Sequence, residues 1–215
     1  MSKFHWEKFN ACPVVGIVRN LDQATIDRLV PVYLAAGLST LEVTMNTPSA
    51  LELIADMSER YPEMNVGAGT VCTLEDLESA LQAGAQFIVT PIMNEEVIAT
   101  CVANQVPVFP GAYSPTEIYK AWTLGANAVK VFPATQLGTT FIKDILAPLN
   151  TIKLLPTGGV TADNITDFLK VGAVGVGMGS SLLPKDLMVE GKEAELRQHF
   201  DKIVAATKIA LPQPV

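Results

Sequence analysis

Residues 116–133 read TEIYKAWTLGANAVKVFP, and their order decides the fold. Thr116–Leu124 carries a helical pattern. Gly125 stands where that helix would end, in the left-handed C′ conformation that glycine adopts without steric cost. Ala128–Phe132 then alternates as a strand, with Val129 and Val131 on one face and Ala128, Lys130 and Phe132 on the other. The stretch is therefore a helix-to-strand joint. The same signal recurs at Ala36-Gly37, Gly84-Ala85 and Gly172-Ala173, so the chain reads as one βα unit repeated.

Working outward, the predicted strands are Val14–Val18, Thr40–Thr44, Asn65–Ala68, Phe87–Thr90, Val106–Phe109, Ala128–Phe132, Lys153–Pro156 and Ala173–Gly177. Amphipathic helices are predicted between them, including Asp22–Ala36, Thr73–Ala83 and Ala162–Leu169. Thr73 reads as an N-cap with Asp76 three residues on, a capping-box-like start. The first ten residues and Glu193–Ile209 read as terminal helices. Eight strands alternating with helices, with no linker between them, predict an α/β protein. Its expected form is a (β/α)8 TIM barrel, a single domain over residues 1–215. The competing architecture is an open doubly wound sheet, but no GxGxxG fingerprint follows the first strand.

Composition narrows the chemistry. Of 215 residues, 49% are hydrophobic and 17% charged, so a packed core is expected rather than disorder. The net charge of −7 argues against nucleic acid and against an electrostatic membrane anchor. The longest uncharged stretch, between Glu96 and Glu117, is broken by Pro107, Pro110 and Pro115 and makes a poor membrane span. Both histidines, His5 and His199, lie near the chain ends, leaving little for a zinc site or a Ser-His-Asp triad. No metal and no cofactor is expected. Cys12, Cys72 and Cys101 are scattered, with no CxxC pair. They read as reduced packing residues of a cytoplasmic protein. The start, MSKFHWEKFN, has no apolar segment of the signal-peptide kind.

In a barrel, chemistry sits at the C-terminal ends of the strands. Lys130 would point inward, where burial favours the neutral amine that adds to carbonyls. A snorkelling or ion-paired structural lysine is the other reading. Lys153, at a strand start, should lie at the opposite, stability face. Between Lys8 and Lys120 there is no lysine to rival Lys130. Glu42 shares an inward face with Thr44, flanked by outward Leu41 and Val43. With Lys130 it makes either a buried structural ion pair or an amine with its acid/base partner. Gly158-Gly159 and Gly175–Ser181 follow the last two strands as glycine-rich turns that suit a phosphate. Arg19, ending the first strand, suits a carboxylate or a rim salt bridge. Gly67–Thr70 and Thr90-Pro91 line a pocket or simply turn the chain.

The segments LEVTMNTP, VGAGTV, FIVTP, VFPGAYSPTE, AVKVFPA, PTGGV and GMGSSL, in this order over nearly the whole chain, resemble the bacterial 2-keto-3-deoxy-6-phosphogluconate (KDPG) and 4-hydroxy-2-oxoglutarate (KHG) aldolases. That family includes a phosphogalactonate (KDPGal) branch. The resemblance implies a class I, metal-independent lyase on a small TIM barrel, forming a homotrimer. It implies that Lys130 is the Schiff-base residue and Glu42 the general acid/base. Thr70 would contact the pyruvate end, and Pro91 and Phe132 would line the pocket. The backbone at Gly158, Gly159, Gly179 and Ser180 would take the phosphate, with Ser181 beside it. The substrate would be a phosphorylated keto acid, and pyruvate a product.

One position departs from the phosphogluconate pattern. Asn46 replaces the arginine that those enzymes carry two residues after LEVT. The phosphogalactonate branch is similar here, and Arg19 would then stand in for the missing cation. Thr157, before Gly-Gly, resembles the phosphogluconate branch instead. The two markers point to different sugars. A phosphate-binding epimerase or isomerase and a non-catalytic sugar-phosphate binder are remoter readings, neither of which needs an imine-forming lysine.

Overall fold

The structure is a computed structural model that describes residues 4–210. Parallel strands alternate with helices from β1 (Val14–Val18) to β9 (Val176–Met178), except that β5 (Val108–Phe109) and β6 (Gly111–Ala112) follow one another directly, with α1 (Trp6–Ala11) before β1 and α9 (Glu193–Ala210) after β9. The strands form a curled parallel α/β sheet in two hydrogen-bonded stretches. One has the order β5-β4-β3-β2-β1-β9, with β2 at Thr40–Thr44, β3 at Asn65–Gly69, β4 at Ile88–Val89 and β5 at Val108–Phe109. The other has the order β6-β7-β8, at Gly111–Ala112, Val129–Val131 and Leu154–Pro156.

Among the described residues nine strand segments thus stand where eight are predicted. The extra one arises at Pro110. Proline has no N–H, so the ladder lapses there. The Pro110 carbonyl still accepts from Lys130 N–H at 2.9 Å. The fifth predicted strand, Val106–Phe109, pairs with β4, and the unpredicted segment just after Pro110 pairs with β7. At the other junction, Thr157 bridges Gly177 in parallel, and Val174 N–H donates to Leu154 O at 3.0 Å.

The helix-to-strand joints behave as read. Gly125 has φ +100°, its N–H donates to Trp122 O at 3.0 Å, and Ala126 N–H donates to Ala121 O at 3.3 Å. This double bond pattern closes the carbonyls that a helix end leaves open. It recurs after α2 (Gln23–Ala35), α4 (Leu74–Gln82) and α8 (Ile165–Lys170). It also explains why two strands begin late. Ala173 N–H is spent on Phe168 O and Val106 N–H on Cys101 O, so β9 starts at Val176 and β5 at Val108. Thr73 caps α4 in a full capping box with Asp76, and Ser114 does the same for α6 (Pro115–Thr123) with Glu117. The predicted helix Ala162–Leu169 begins only at Ile165, because Asn164 first turns back to accept from Thr161 N–H.

Two apolar clusters separate the faces of the strands. The outer one includes Leu41, Val43, Val129 and Val131 packed under the helices. The inner one joins Phe4, Phe9, Val15, Phe87, Val89, Phe109, Ala128 and Leu155. Phe4 meets Phe87 edge-on with ring centroids 5.3 Å apart, and Phe9 stacks on Phe109 at 6.2 Å. Offset and edge-on contacts suit the aromatic quadrupole. The aromatics fill the inside from its N-terminal end. Lys153, exposed just before β8, stands at that same end, as expected. No helix among the described residues is long and apolar enough to cross a membrane.

Candidate active site

Strand alternation carries the inner face from this apolar floor to a polar ceiling. Ala128 belongs to the inner cluster, and Lys130 stands two residues further along the same face. Leu155 and Thr157 repeat the relation on β8. Lys130 is 5% exposed and Glu42 2%, so both charged side chains are enclosed. Neither takes part in an ion pair within 4.0 Å among the described residues. The Lys130 ammonium lies 4.9 Å from the centroid of the Phe132 ring.

Burial outweighs the mutual attraction of the two charges. It pushes the Glu42 carboxyl up from its ordinary range, against the opposing pull of Lys130 and Arg19. It pushes the Lys130 amine down, opposed by Glu42 and helped by Arg19. Both groups are moved towards their neutral forms. A structural ion pair needs close contact to offset desolvation, and this arrangement lacks it.

Glu42 owes its place to a residue that the sequence did not single out for this purpose. Register sets Glu42 opposite Gly67 and Thr44 opposite Gly69. A Cβ at Gly69 would fall 2.7 Å from Glu42 Cδ. The carboxyl therefore occupies the space that a side chain at Gly69 would fill. Thr47 is a second such residue. It is buried, its hydroxyl lies 3.0 Å from that of Thr44, and it accepts from Asn20 N–H at 3.1 Å. It thereby ties the end of β2 to the residue that follows Arg19.

A cavity of about 830 Å³ opens above, at the C-terminal ends of β1, β7, β8 and β9. It gathers Arg19, Phe132, Thr157, Gly158, Gly159, Gly179 and Ser180 from the predicted set, together with Ser181. Thr70 and Pro91 are outside its lining. They are half-buried just after β3 and β4, and Thr70 has a left-handed φ of +57°, a conformation that costs a β-branched residue energy. Arg19 is exposed and takes part in no ion pair among the described residues, so the rim salt bridge is not formed.

The glycine turns have the shape an anion requires. Gly158 and Gly159 have φ of +94° and +75°. Among the described residues, the N–H groups of Gly158, Gly159, Gly179 and Ser180 donate to no protein acceptor. Free amides in successive turns of this kind can bind an anion. The Ser181 hydroxyl is spent on Val160 O. Thr157 is 3% exposed, and its side chain lies against Gly177, where a Cβ would fall 2.9 Å from Thr157 Cγ2.

Neither histidine and none of the three cysteines lines the cavity, although Cys72 is near enough to Lys130 for the two groups to interact electrostatically. His5 Nε2 lies 3.1 Å from Pro62 O and His199 Nε2 2.9 Å from Ser181 O. Burial pushes the Cys12 thiol up to about 11 and the Cys101 thiol up to about 12, which suits packing residues.

These features coincide with a comparison to known proteins. A family model for KDPG and KHG aldolases matches residues 6–199. The 2-dehydro-3-deoxy-phosphogluconate aldolase of Pseudomonas aeruginosa is 35% identical over 187 residues, covering 86% of this chain and 84% of that one. The enzyme of the same name from Treponema pallidum is 38% identical over 119 residues, and that match spans 55% of either chain. Among solved structures, KDPG aldolase from Legionella pneumophila, with pyruvate captured at low pH as a covalent carbinolamine intermediate, superposes with a TM-score of 0.80. It is 26% identical, with 95% of this chain and 97% of that chain covered. The chain belongs to the KDPG and KHG aldolase family.

Proposed function

We propose that the protein is a class I, metal-independent aldolase that cleaves 2-keto-3-deoxy-6-phosphogluconate into pyruvate and glyceraldehyde 3-phosphate. The observation that carries this reading is the enclosed Lys130 amine, pushed towards neutrality and held apart from Glu42 beneath an anion-binding cavity. The strand segments act as one (β/α)8 barrel in a single domain. The Pro110 carbonyl link and the Thr157–Gly177 bridge support that closure. The family resemblance supports a homotrimer in the cytoplasm, and a monomer by light scattering would refute the assembly.

In this mechanism neutral Lys130 Nζ adds to the C2 ketone, and loss of water gives an iminium. Glu42 takes the proton of the C4 hydroxyl, the C3–C4 bond breaks, and its electrons move into the iminium as glyceraldehyde 3-phosphate leaves. Glu42 returns a proton to C3 of the enamine, and water releases pyruvate from Lys130. One carboxyl can serve both proton steps because they fall on adjacent carbons of one bound molecule. Arg19 and Thr70 hold the carboxylate end, Phe132 and Pro91 line the reacting carbons, and the amides of Gly158, Gly159, Gly179 and Ser180 hold the phosphate.

The second reading is the phosphogalactonate substrate, favoured by the unpaired Arg19 guanidinium and exposed Asn46. Pyruvate release from the phosphogluconate, the phosphogalactonate and 4-hydroxy-2-oxoglutarate, assayed side by side, separates the readings. The phosphogluconate is expected to be fastest, on Thr157. A faster phosphogalactonate reaction reverses the assignment, and no pyruvate from any of the three removes the aldolase. Activity is expected to survive EDTA.

Gly69 provides a local test. Gly69→Ala should leave the fold intact, because the group that must yield is the end of the Glu42 side chain and not backbone. It should lower kcat by about 10–100-fold, the scale of a misplacement near 1 Å. Imine formation with pyruvate should remain. Unchanged kcat would show that the clearance at Gly69 does not set the position of Glu42.

A further inference from the structure

The cavity has a second cation besides Arg19. Lys185 lines it from the segment after β9, between Leu183 and Met188. Among the described residues no Asp or Glu lines this cavity, although the chain carries 22 acidic residues against 15 basic ones. Lys185 takes part in no ion pair among the described residues.

The segment that carries Lys185 is organised rather than loose. Leu187 N–H donates to Pro184 O at 3.0 Å and Met188 N–H to Lys185 O at 3.3 Å, closing a turn. Arg28 Nη2 reaches Met188 O at 3.4 Å and ties that turn to α2. The exposed Lys185 therefore stands on a turned backbone at the wall of a cavity whose other charged lining residue is Arg19.

A phosphosugar acid brings two anionic groups into this space. Peptide amides orient a phosphate but carry no net charge, and the protein as a whole repels the ligand. An ammonium on a flexible stem is a compact point charge that can follow phosphate oxygens without fixing their orientation. We propose that Lys185 is a phosphate-binding residue, supplying the positive charge that the amides of the β8 and β9 turns lack. This rests on the aldolase reading for the identity of the phosphate ester, and on the cavity alone for the site.

The test compares Lys185→Met, Lys185→Glu and Lys185→Arg with the unaltered enzyme. KM for 2-keto-3-deoxy-6-phosphogluconate should rise about tenfold or more in Lys185→Met, the scale of one charge-assisted contact. It should rise further in Lys185→Glu and return to within about threefold in Lys185→Arg, since the charge is kept. Competitive inhibition by inorganic phosphate should weaken in the same order. Borohydride trapping of pyruvate, which has no phosphate, should be equal in all four proteins. An unchanged KM in both Lys185→Met and Lys185→Glu overturns the proposal, as does trapping that weakens in step with KM. If the unaltered enzyme releases no pyruvate, the aldolase reading fails by itself. Calorimetric binding of inorganic phosphate to the same four proteins then still decides the role of Lys185, and equal affinity in all four overturns it.

Discussion

Lys130→Ala is expected to reduce pyruvate release by about 10⁴-fold or more, the scale on which loss of a covalent nucleophile is measured. Borohydride added with pyruvate should label the unaltered protein on the peptide containing Lys130 and leave Lys130→Ala unlabelled. The expectation follows from the environment of the amine. Lys130 is 5% exposed, no carboxylate among the described residues pairs with it within 4.0 Å, and burial pushes its pKa down. A lysine at the surface is almost wholly protonated at neutral pH and cannot add to a ketone. Lys185 is the amine that lines the cavity, whereas Lys130 is enclosed outside its lining, so the site of labelling must be read by peptide mass. Label at Lys185 in the unaltered protein, or equal label in Lys130→Ala, would remove Lys130 from the imine. The fold should tolerate the change. Removing a buried amine takes away a desolvation cost and leaves a cavity beside Phe132.

Glu42→Gln should lower kcat by about 10²–10⁴-fold, the usual worth of a positioned general acid/base. It should leave KM nearly unchanged and preserve trapping of pyruvate, because imine formation is assigned to Lys130. Glutamine keeps the shape of the side chain against Gly69, so the effect isolates the proton. The pH dependence provides an independent check. The Glu42 carboxylate holds the Lys130 pKa up against burial. Without that negative charge the ammonium is less favoured, and the amine stays neutral to lower pH. The acid limb of pyruvate trapping should therefore move to lower pH in Glu42→Gln. A limb that stays, or moves up, would mean that the two groups do not sense each other. Turnover of the unaltered enzyme should fall on acidification above the ordinary carboxylate range, because burial raises the Glu42 pKa. Full turnover in Glu42→Gln would end the acid/base assignment.

Much of this site was legible because its signals are local. The joint at Gly125, the cap at Thr73 and the inward face of Lys130 each depend on a few neighbouring residues and on backbone periods that hold in any fold. They emerged where expected, within the shifts that the joints impose on Ala173 and Val106. Pro110 was equally visible, yet its consequence was not. That a missing N–H divides one strand between two neighbours depends on which strands lie on either side. Gly69 was visible as part of a turn or pocket, but its use as the space for Glu42 exists only through the register of β2 on β3. Lys185 sits in an irregular segment with no period to orient it, so only the cavity reveals it.

By itself the sequence determined the alternation of strand and helix and the faces of Lys130 and Glu42. Those follow from residue type and from spacings of two to four residues. Tertiary structure alone decided that Arg19 would lack an acid partner among the described residues, that Lys130 and Glu42 would be enclosed without an ion pair between them, and that the free amides and Lys185 would share one cavity. Each of these is a distance between residues far apart in the chain. Such distances are set by how strands register and how loops meet over a filled core, and no local pattern encodes them.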